Sequence, residues 1–142
     1  MKLRFKKLHP DAIMPEYAHK ADAGADLYSL YRDIVQGRSW NKIATGIAVE
    51  IPEGYAGFVQ PRSGLAIKYG LTVLNAPGLI DSHYRGDVSV IVMNHSVSPY
   101  TIEKHEKIAQ LVIQKVENVE WIESEELSET TRGEGGFGST GQ

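Results

Sequence analysis

Ile43-Ala44-Thr45-Gly46-Ile47-Ala48-Val49-Glu50-Ile51 puts an aliphatic residue or threonine at every odd position and a small or charged residue at every even one. That is the period of a β-strand, whose successive side chains point to opposite faces. The same reading extends outward. In Val88 to Met93, Val88, Val90 and Val92 share one face, while Ser89, Ile91 and Met93 share the other. Ile108 to Val116 is β-branched and apolar, with Gln110 and Gln114 interleaved. Between such runs, Pro52-Glu53-Gly54 and Asn75-Ala76-Pro77-Gly78 carry turn chemistry. Many short strands with close turn signals predict an all-β sandwich or barrel. One short helix is expected over Ser63 to Tyr69, with Ser63 as its N-cap and Gly70 just past its end. Trp40 and Trp121 read as packing residues.

The chain has 142 residues, the length of one domain, and no internal repeat or second domain is visible. With 42% apolar and 23% charged residues it has the make-up of an ordinary globular protein, long enough to bury a core. It has no cysteine, which excludes disulfides, thiolate metal sites and cysteine nucleophiles. Met1 to Lys7 lacks the apolar core of a signal peptide. Val88 to Met93, the richest apolar stretch, is too short to cross a bilayer. These features predict a cytoplasmic protein without a membrane role. The net charge of −3 also argues against gripping nucleic acid through its phosphates.

Several segments carry polar residues whose spacing has chemical meaning. Pro61-Arg62-Ser63-Gly64 lies at the mouth of the expected helix, where free N–H groups gather. It reads either as an anion site with Arg62 and Ser63 as donors or as a plain cap with a surface arginine. Asp26, between small and apolar neighbours, is either a turn residue or a functional carboxylate. Asp81 follows two aliphatics and opens a turn, with Tyr84 three residues on. It reads as a proton acceptor for a water or as the tip of a hairpin. His83 and His95 have no metal-binding spacing. Glu117, Glu120, Glu123, Glu125, Glu126 and Glu129 read as a solvated surface or linker.

Gly133, Gly135 and Gly138 satisfy G-x-G-x-x-G, but only four residues follow, too few for the helix and strand of a dinucleotide fold. What remains is Arg132 among glycines, then Phe137, Ser139 and Thr140. Glycines let backbone N–H groups converge on an anion, and an aromatic face suits a stacked base. The segment reads as a nucleotide-binding tail or as a disordered end.

Taken in order, these segments resemble the trimeric deoxyuridine triphosphatases (dUTPases) over nearly the whole chain. The resemblance is carried by Ala23-Gly24-Ala25-Asp26-Leu27, Pro61-Arg62-Ser63-Gly64-Leu65-Ala66, Gly78 to Gly86, Lys107-Ile108-Ala109-Gln110-Leu111, and Arg132 to Gly141. It implies an all-β jelly roll with one short helix and a C-terminal glycine-rich arm, assembled as a homotrimer with active sites shared between subunits. It implies one domain over 1–142, with 117–131 an acidic connection and 132–142 a lid motif. It implies Mg²⁺-dependent hydrolysis of dUTP to dUMP and pyrophosphate. By this similarity Asp81 deprotonates the attacking water, and Tyr84 packs under the deoxyribose. The hairpin around Asn75, Gly78 and Ile80 reads uracil. Arg62, Ser63, Gly64 and Gln110 hold phosphates, and Asp26 reaches Mg²⁺ through water. Phe137 stacks on uracil beside Gly138, while Arg132, Ser139 and Thr140 engage phosphate.

The chain departs from the family's common pattern at three places. His105-Glu106-Lys107 stands where Gly-Asp-Arg is usual, Ala25 where a larger residue is frequent, and Asp87 at a variable position. Lys107 keeps the charge of arginine without its fork. The alternatives are a deoxycytidine triphosphate deaminase of the same fold, and a dUTPase-like trimer that regulates an unknown partner protein.

Overall fold

The structure is a computed structural model and describes residues 1–137. Its strands are β1 (Arg4–Lys7), β2 (Ala25–Tyr28), β3 (Asp33–Val35), β4 (Ser39–Ile43), β5 (Ile47–Glu50), β6 (Tyr55–Gln60), β7 (Leu71–Val73), β8 (Gly78–Ile80), β9 (Val90–Asn94), β10 (Tyr100–Ile102) and β11 (Lys107–Lys115), with one helix, α1 (Ser63–Tyr69). Every pairing of strands is antiparallel. One sheet runs β2-β11-β6-β8 and a second runs β4-β9-β7; β1-β5 and β10-β3 form two ribbons. The inward side chains of both sheets meet in one apolar cluster that includes Leu27, Val59 and Leu111 from the first sheet and Ile43, Val90 and Val92 from the second. The fold is an all-β jelly roll with one short helix.

The stretch from Ile43 to Ile51 buries all five of its odd positions, as its alternation predicts. It is nevertheless two strands in two sheets. The break is at Gly46, whose φ of +71° lies in the left-handed region that glycine enters without a side-chain clash. Asp87 holds this corner. Its Oδ1 accepts the backbone N–H groups of Gly46 at 2.6 Å and Ile47 at 3.2 Å, and the Thr45 hydroxyl at 3.3 Å. Its Oδ2 accepts the Ser89 hydroxyl. Period alone could not reveal the corner, because the chain turns without losing its inward face.

Four further sequence expectations are corrected. Ser63 is the first residue of the helix, not its cap; Arg62 holds the cap position in an extended conformation, without a capping side-chain bond. Asn75 to Gly78 does not close a paired hairpin, because β7 pairs with β9 while β8 pairs with β6, so the turn bridges two sheets. The strand expected from Val88 begins at Val90, although Val88 is fully buried. Trp40 is 56% exposed and Trp121 is 91% exposed, so neither packs in the core.

Among the described residues, every buried side-chain polar atom is paired. Asn94, fully buried, donates to the carbonyls of Val35 and Ser98 and accepts from the N–H and hydroxyl of Ser96. All four of its bonds are met, which removes the cost of burying an amide. No helix among the described residues is long and apolar enough to cross a membrane.

Candidate active site

Sheet register assembles the first group of candidate residues. Asp26 on β2 lies opposite Gln110 on β11, and Gln110 lies opposite Gln60 at the end of β6. The chain then passes through Pro61 and Arg62 into α1. A cleft of about 410 Å³ opens here, bordered by Gly24, Asp26, Arg62, Ser63, Gly64 and Gln110. In α1 the first N–H bonded back is that of Ala66, to the Arg62 carbonyl. The N–H groups of Ser63, Gly64 and Leu65 therefore have no partner within the helix. The helix buries none of its residues, so its contribution is to the cleft more than to the core.

Asp26 is the electrostatic centre of this cleft. Its side chain is only 10% exposed, and each oxygen faces a cation. Arg62 Nε lies 3.2 Å from Oδ1, and Lys107 Nζ lies 2.7 Å from Oδ2. Arg62 also donates through Nη1 to the Lys107 carbonyl at 3.2 Å. The hydrogen bond to Asp26, and then its charge, hold the Lys107 ammonium above the ordinary lysine range. Lys107 thus has a defined task here without the arginine fork: it neutralises one oxygen of a buried carboxylate. The neighbouring departure is accommodated locally. His105 takes a φ of +65°, and its Nε2 pairs with the Asp11 carbonyl at 2.9 Å. Glu106 accepts the Tyr100 hydroxyl at 2.6 Å and the Glu103 N–H at 2.8 Å.

Gln110 lies flat across Gly24. A Cβ at residue 24 would stand 2.5 Å from Gln110 Oε1, inside contact distance. Gln110 Nε2 donates to the Pro61 carbonyl at 3.0 Å, which fixes the amide at the edge of the cleft. Sequence reading missed this role of Gly24; its only sign there is a glycine two residues before Asp26.

The second group lies at the other end of the sheet. Gly78 on β8 is opposite Val59, and Ile80 is opposite Gly57. Asp81 therefore emerges beside the start of β6, on the order of 20 Å from Arg62 at about 3.3 Å per strand residue. Asp81 is exposed, and its carbonyl accepts the Tyr84 N–H at 3.1 Å, closing the expected turn. Among the described residues its carboxylate has no hydrogen bond or ion pair. The Tyr84 hydroxyl donates to the Asp87 carbonyl at 2.9 Å, and its ring lies so close over Gly86 that a Cβ there would meet the hydroxyl at 2.5 Å. Asn75 packs its amide against Gly78. His83 approaches Glu53 at 3.7 Å.

Among the described residues, the tail from Arg132 to Phe137 joins neither group. Arg132 Nε donates to the Gly135 carbonyl at 2.8 Å, and Phe137 is fully exposed. Gly138, Ser139 and Thr140 lie outside the described residues.

A jelly roll whose cleft sets an arginine, a lysine, a hydroxyl, an amide and free backbone N–H groups around one carboxylate has the chemistry of a protein that handles phosphorylated ligands. Comparison with known proteins narrows this class. The dUTPase family model matches residues 10–141, so the chain belongs to the dUTPase family. It is 52% identical over 142 residues to the deoxyuridine 5'-triphosphate nucleotidohydrolase of Nautilia profundicola, with all of both chains covered. A mutant dUTPase of Staphylococcus bacteriophage 80alpha, solved with dUpNHpp, superposes with a TM-score of 0.91 at 34% identity, covering 99% of each chain. A mutant dUTPase from phage phi11 of S. aureus, described as coordinating a structural Mg(II) ion, superposes with a TM-score of 0.81 at 30% identity, covering 89% of this chain and 98% of that one.

Proposed function

We propose that this chain hydrolyses dUTP to dUMP and pyrophosphate, in sites that two or more copies of it build together in a homotrimer. The observation that carries the shared site is the separation of the two groups. Asp81 and Arg62 stand on the order of 20 Å apart along β6, too far to act on one phosphorus from a single chain. Two chains can supply one group each. Exposed apolar side chains give an assembly surface to work with: Ile67 is 86% exposed and Leu127 is 88% exposed.

In this reading the cleft of one chain takes the triphosphate. Arg62, the Ser63 hydroxyl, the N–H of Gly64 and the Gln110 amide are its donors. A triphosphate is multiply anionic, so neutralisation and alignment provide most of the rate. Asp81 of another chain accepts a proton from water. The water oxygen bonds to the α-phosphorus, the bond to the bridging oxygen breaks, and pyrophosphate leaves with that electron pair. Asn75, Gly78 and Ile80 border the uracil, and the Tyr84 ring sits beneath the deoxyribose, where a 2′-hydroxyl would collide. Residues 132–142 act as a lid, with Phe137 stacking on uracil beside Gly138, and Arg132, Ser139 and Thr140 on phosphate. We treat 1–142 as one functional domain and 117–131 as the connection that carries the lid to its site.

Mg²⁺ fits this cleft as a metal delivered on phosphate. Both oxygens of Asp26 already face cations, so the carboxylate suits a water of the ion's shell better than direct ligation. Among the described residues no group of three His, Cys, Asp or Glu side chains is arranged to hold an ion alone. When bound, Mg²⁺ would neutralise phosphate charge and favour departure of pyrophosphate. The cytoplasmic nucleotide pool is the expected setting.

Pyrophosphate release tests the reading, measured with dUTP, dCTP, dTTP and UTP, in Mg²⁺ and with chelator. Release from dUTP alone, suppressed by chelator, is expected. Release of ammonia from dCTP would mark a deaminase. No release from any nucleotide would leave the fold with a binding or regulatory role.

A further inference from the structure

The turn that carries Asp81 and Tyr84 is braced by a side chain to which the hydrolytic reading gives no part. Arg85 Nη1 donates to the Ser82 carbonyl at 2.6 Å and to the Tyr84 carbonyl at 2.8 Å. Its Nη2 lies 3.9 Å from Glu50 Oε1. Glu50 is itself gripped by a two-point fork, with Arg4 Nε at 2.6 Å from Oε2 and Arg4 Nη2 at 2.7 Å from Oε1. Arg4 and Glu50 sit directly opposite on β1 and β5, a ribbon that supplies none of the proposed substrate contacts.

We propose that Arg85 is a positioning residue, whose guanidinium holds the turn from Asp81 to Gly86 in one arrangement and so presents the Asp81 carboxylate and the Tyr84 ring together. The proposal rests on the reading of Asp81 as the proton acceptor. Within the turn, a single backbone bond, from the Tyr84 N–H to the Asp81 carbonyl at 3.1 Å, closes the chain. Exposed carbonyls bond water almost as well as they bond protein, so such a turn is free to open. A guanidinium across the Ser82 and Tyr84 carbonyls removes that freedom. The opposite side is already fixed, by the Tyr84 hydroxyl on the Asp87 carbonyl and by Asp87 on Gly46 and Ile47. Arg85 is half-exposed and outside the core, so its loss leaves the fold in place.

The test compares full-length wild type with Arg85→Met, Arg85→Lys and Asp81→Asn. It measures kcat and KM for dUTP and for UTP, affinity for dUpNHpp, and thermal unfolding. Arg85→Met keeps the stem and removes the fork. Misplacement of a reacting group is costly, so its kcat should fall on the order of tenfold to a hundredfold. Its affinity for dUpNHpp should stay within about threefold of wild type, because phosphate contacts are untouched. The preference for dUTP over UTP should narrow, Arg85→Lys should recover part of kcat, and the melting temperature should hold. Wild-type kcat in Arg85→Met beside an inactive Asp81→Asn would overturn the role of Arg85 alone. A loss of activity matched by a loss of folded protein would overturn it as well. An active Asp81→Asn would instead overturn the reading on which it rests.

Discussion

Asp26 and Asp81 are both acids in β-rich surroundings, yet their environments differ sharply. Asp26 is buried between Arg62 and Lys107, whereas Asp81 is exposed and its carboxylate has no bonded partner among the described residues. A proton acceptor needs a free lone pair, and of these two acids Asp81 is the one that offers it. Asp81→Asn should therefore keep affinity for dUpNHpp and lose on the order of a hundredfold or more in kcat. Binding calorimetry beside turnover checks this; near wild-type turnover would contradict it. Lys107 gives a pH prediction. Its pKa is raised above 10.5 in the folded chain, so its contribution is complete below 10.5 and is lost as pH rises through the folded value. The Lys107–Asp26 pair should then persist throughout the neutral range, and NMR titration of the ammonium should give a midpoint above 10.5. Gly24→Ala should displace the Gln110 amide and raise KM for dUTP several-fold, with kcat less affected. Steady-state kinetics on dUTP separates the two constants. At this scale residue types and their order are legible: Asp81, Tyr84, Arg62 and Gln110 stand out from their neighbours. The partner of Lys107 and the use of Gly24 are not, because both depend on which strands pair.

Elements show the same division. β11 is legible because Ile108 to Val116 is long and β-branched, and the observed strand, Lys107–Lys115, agrees with that run to within a residue at either end. The helix is legible from Ser63 to Tyr69, but not its cap, since Arg62 bonds to Asp26 and to the Lys107 carbonyl across the sheet instead of turning back on its own helix. The corner at Gly46 is not legible, because Asp87 fixes it from forty-one residues away. Leu27 on β2 is almost fully buried in the cluster that joins the two sheets. Leu27→Ala should cost roughly 2–5 kcal/mol. Unfolding at fixed protein concentration measures it, since the proposed assembly would be linked to stability. Removal of residues 132–142 should leave the described strands intact and hydrolysis poor, because the proposed lid is then missing while the cleft remains. Full activity in that truncated chain would remove the lid from the account.

For the whole molecule, the all-β class follows from period and turns, but the proposed assembly does not. Residue type alone places Trp40 and Trp121 inside, yet both face outward in the single chain. Pattern counts apolar residues without saying which surface covers them. The separation of Asp81 from Arg62 likewise follows only from the register of β6 with β8. The most direct test of shared sites is subunit mixing. Asp81→Asn and Arg62→Ala chains are each assayed alone for pyrophosphate release from dUTP, then unfolded together in equal amounts, refolded and assayed again. If one chain supplies Asp81 and another supplies Arg62, roughly a quarter of the sites in random trimers are intact and activity returns. If both groups came from one chain, every site would stay defective, and a mixture no more active than its parts would contradict the account.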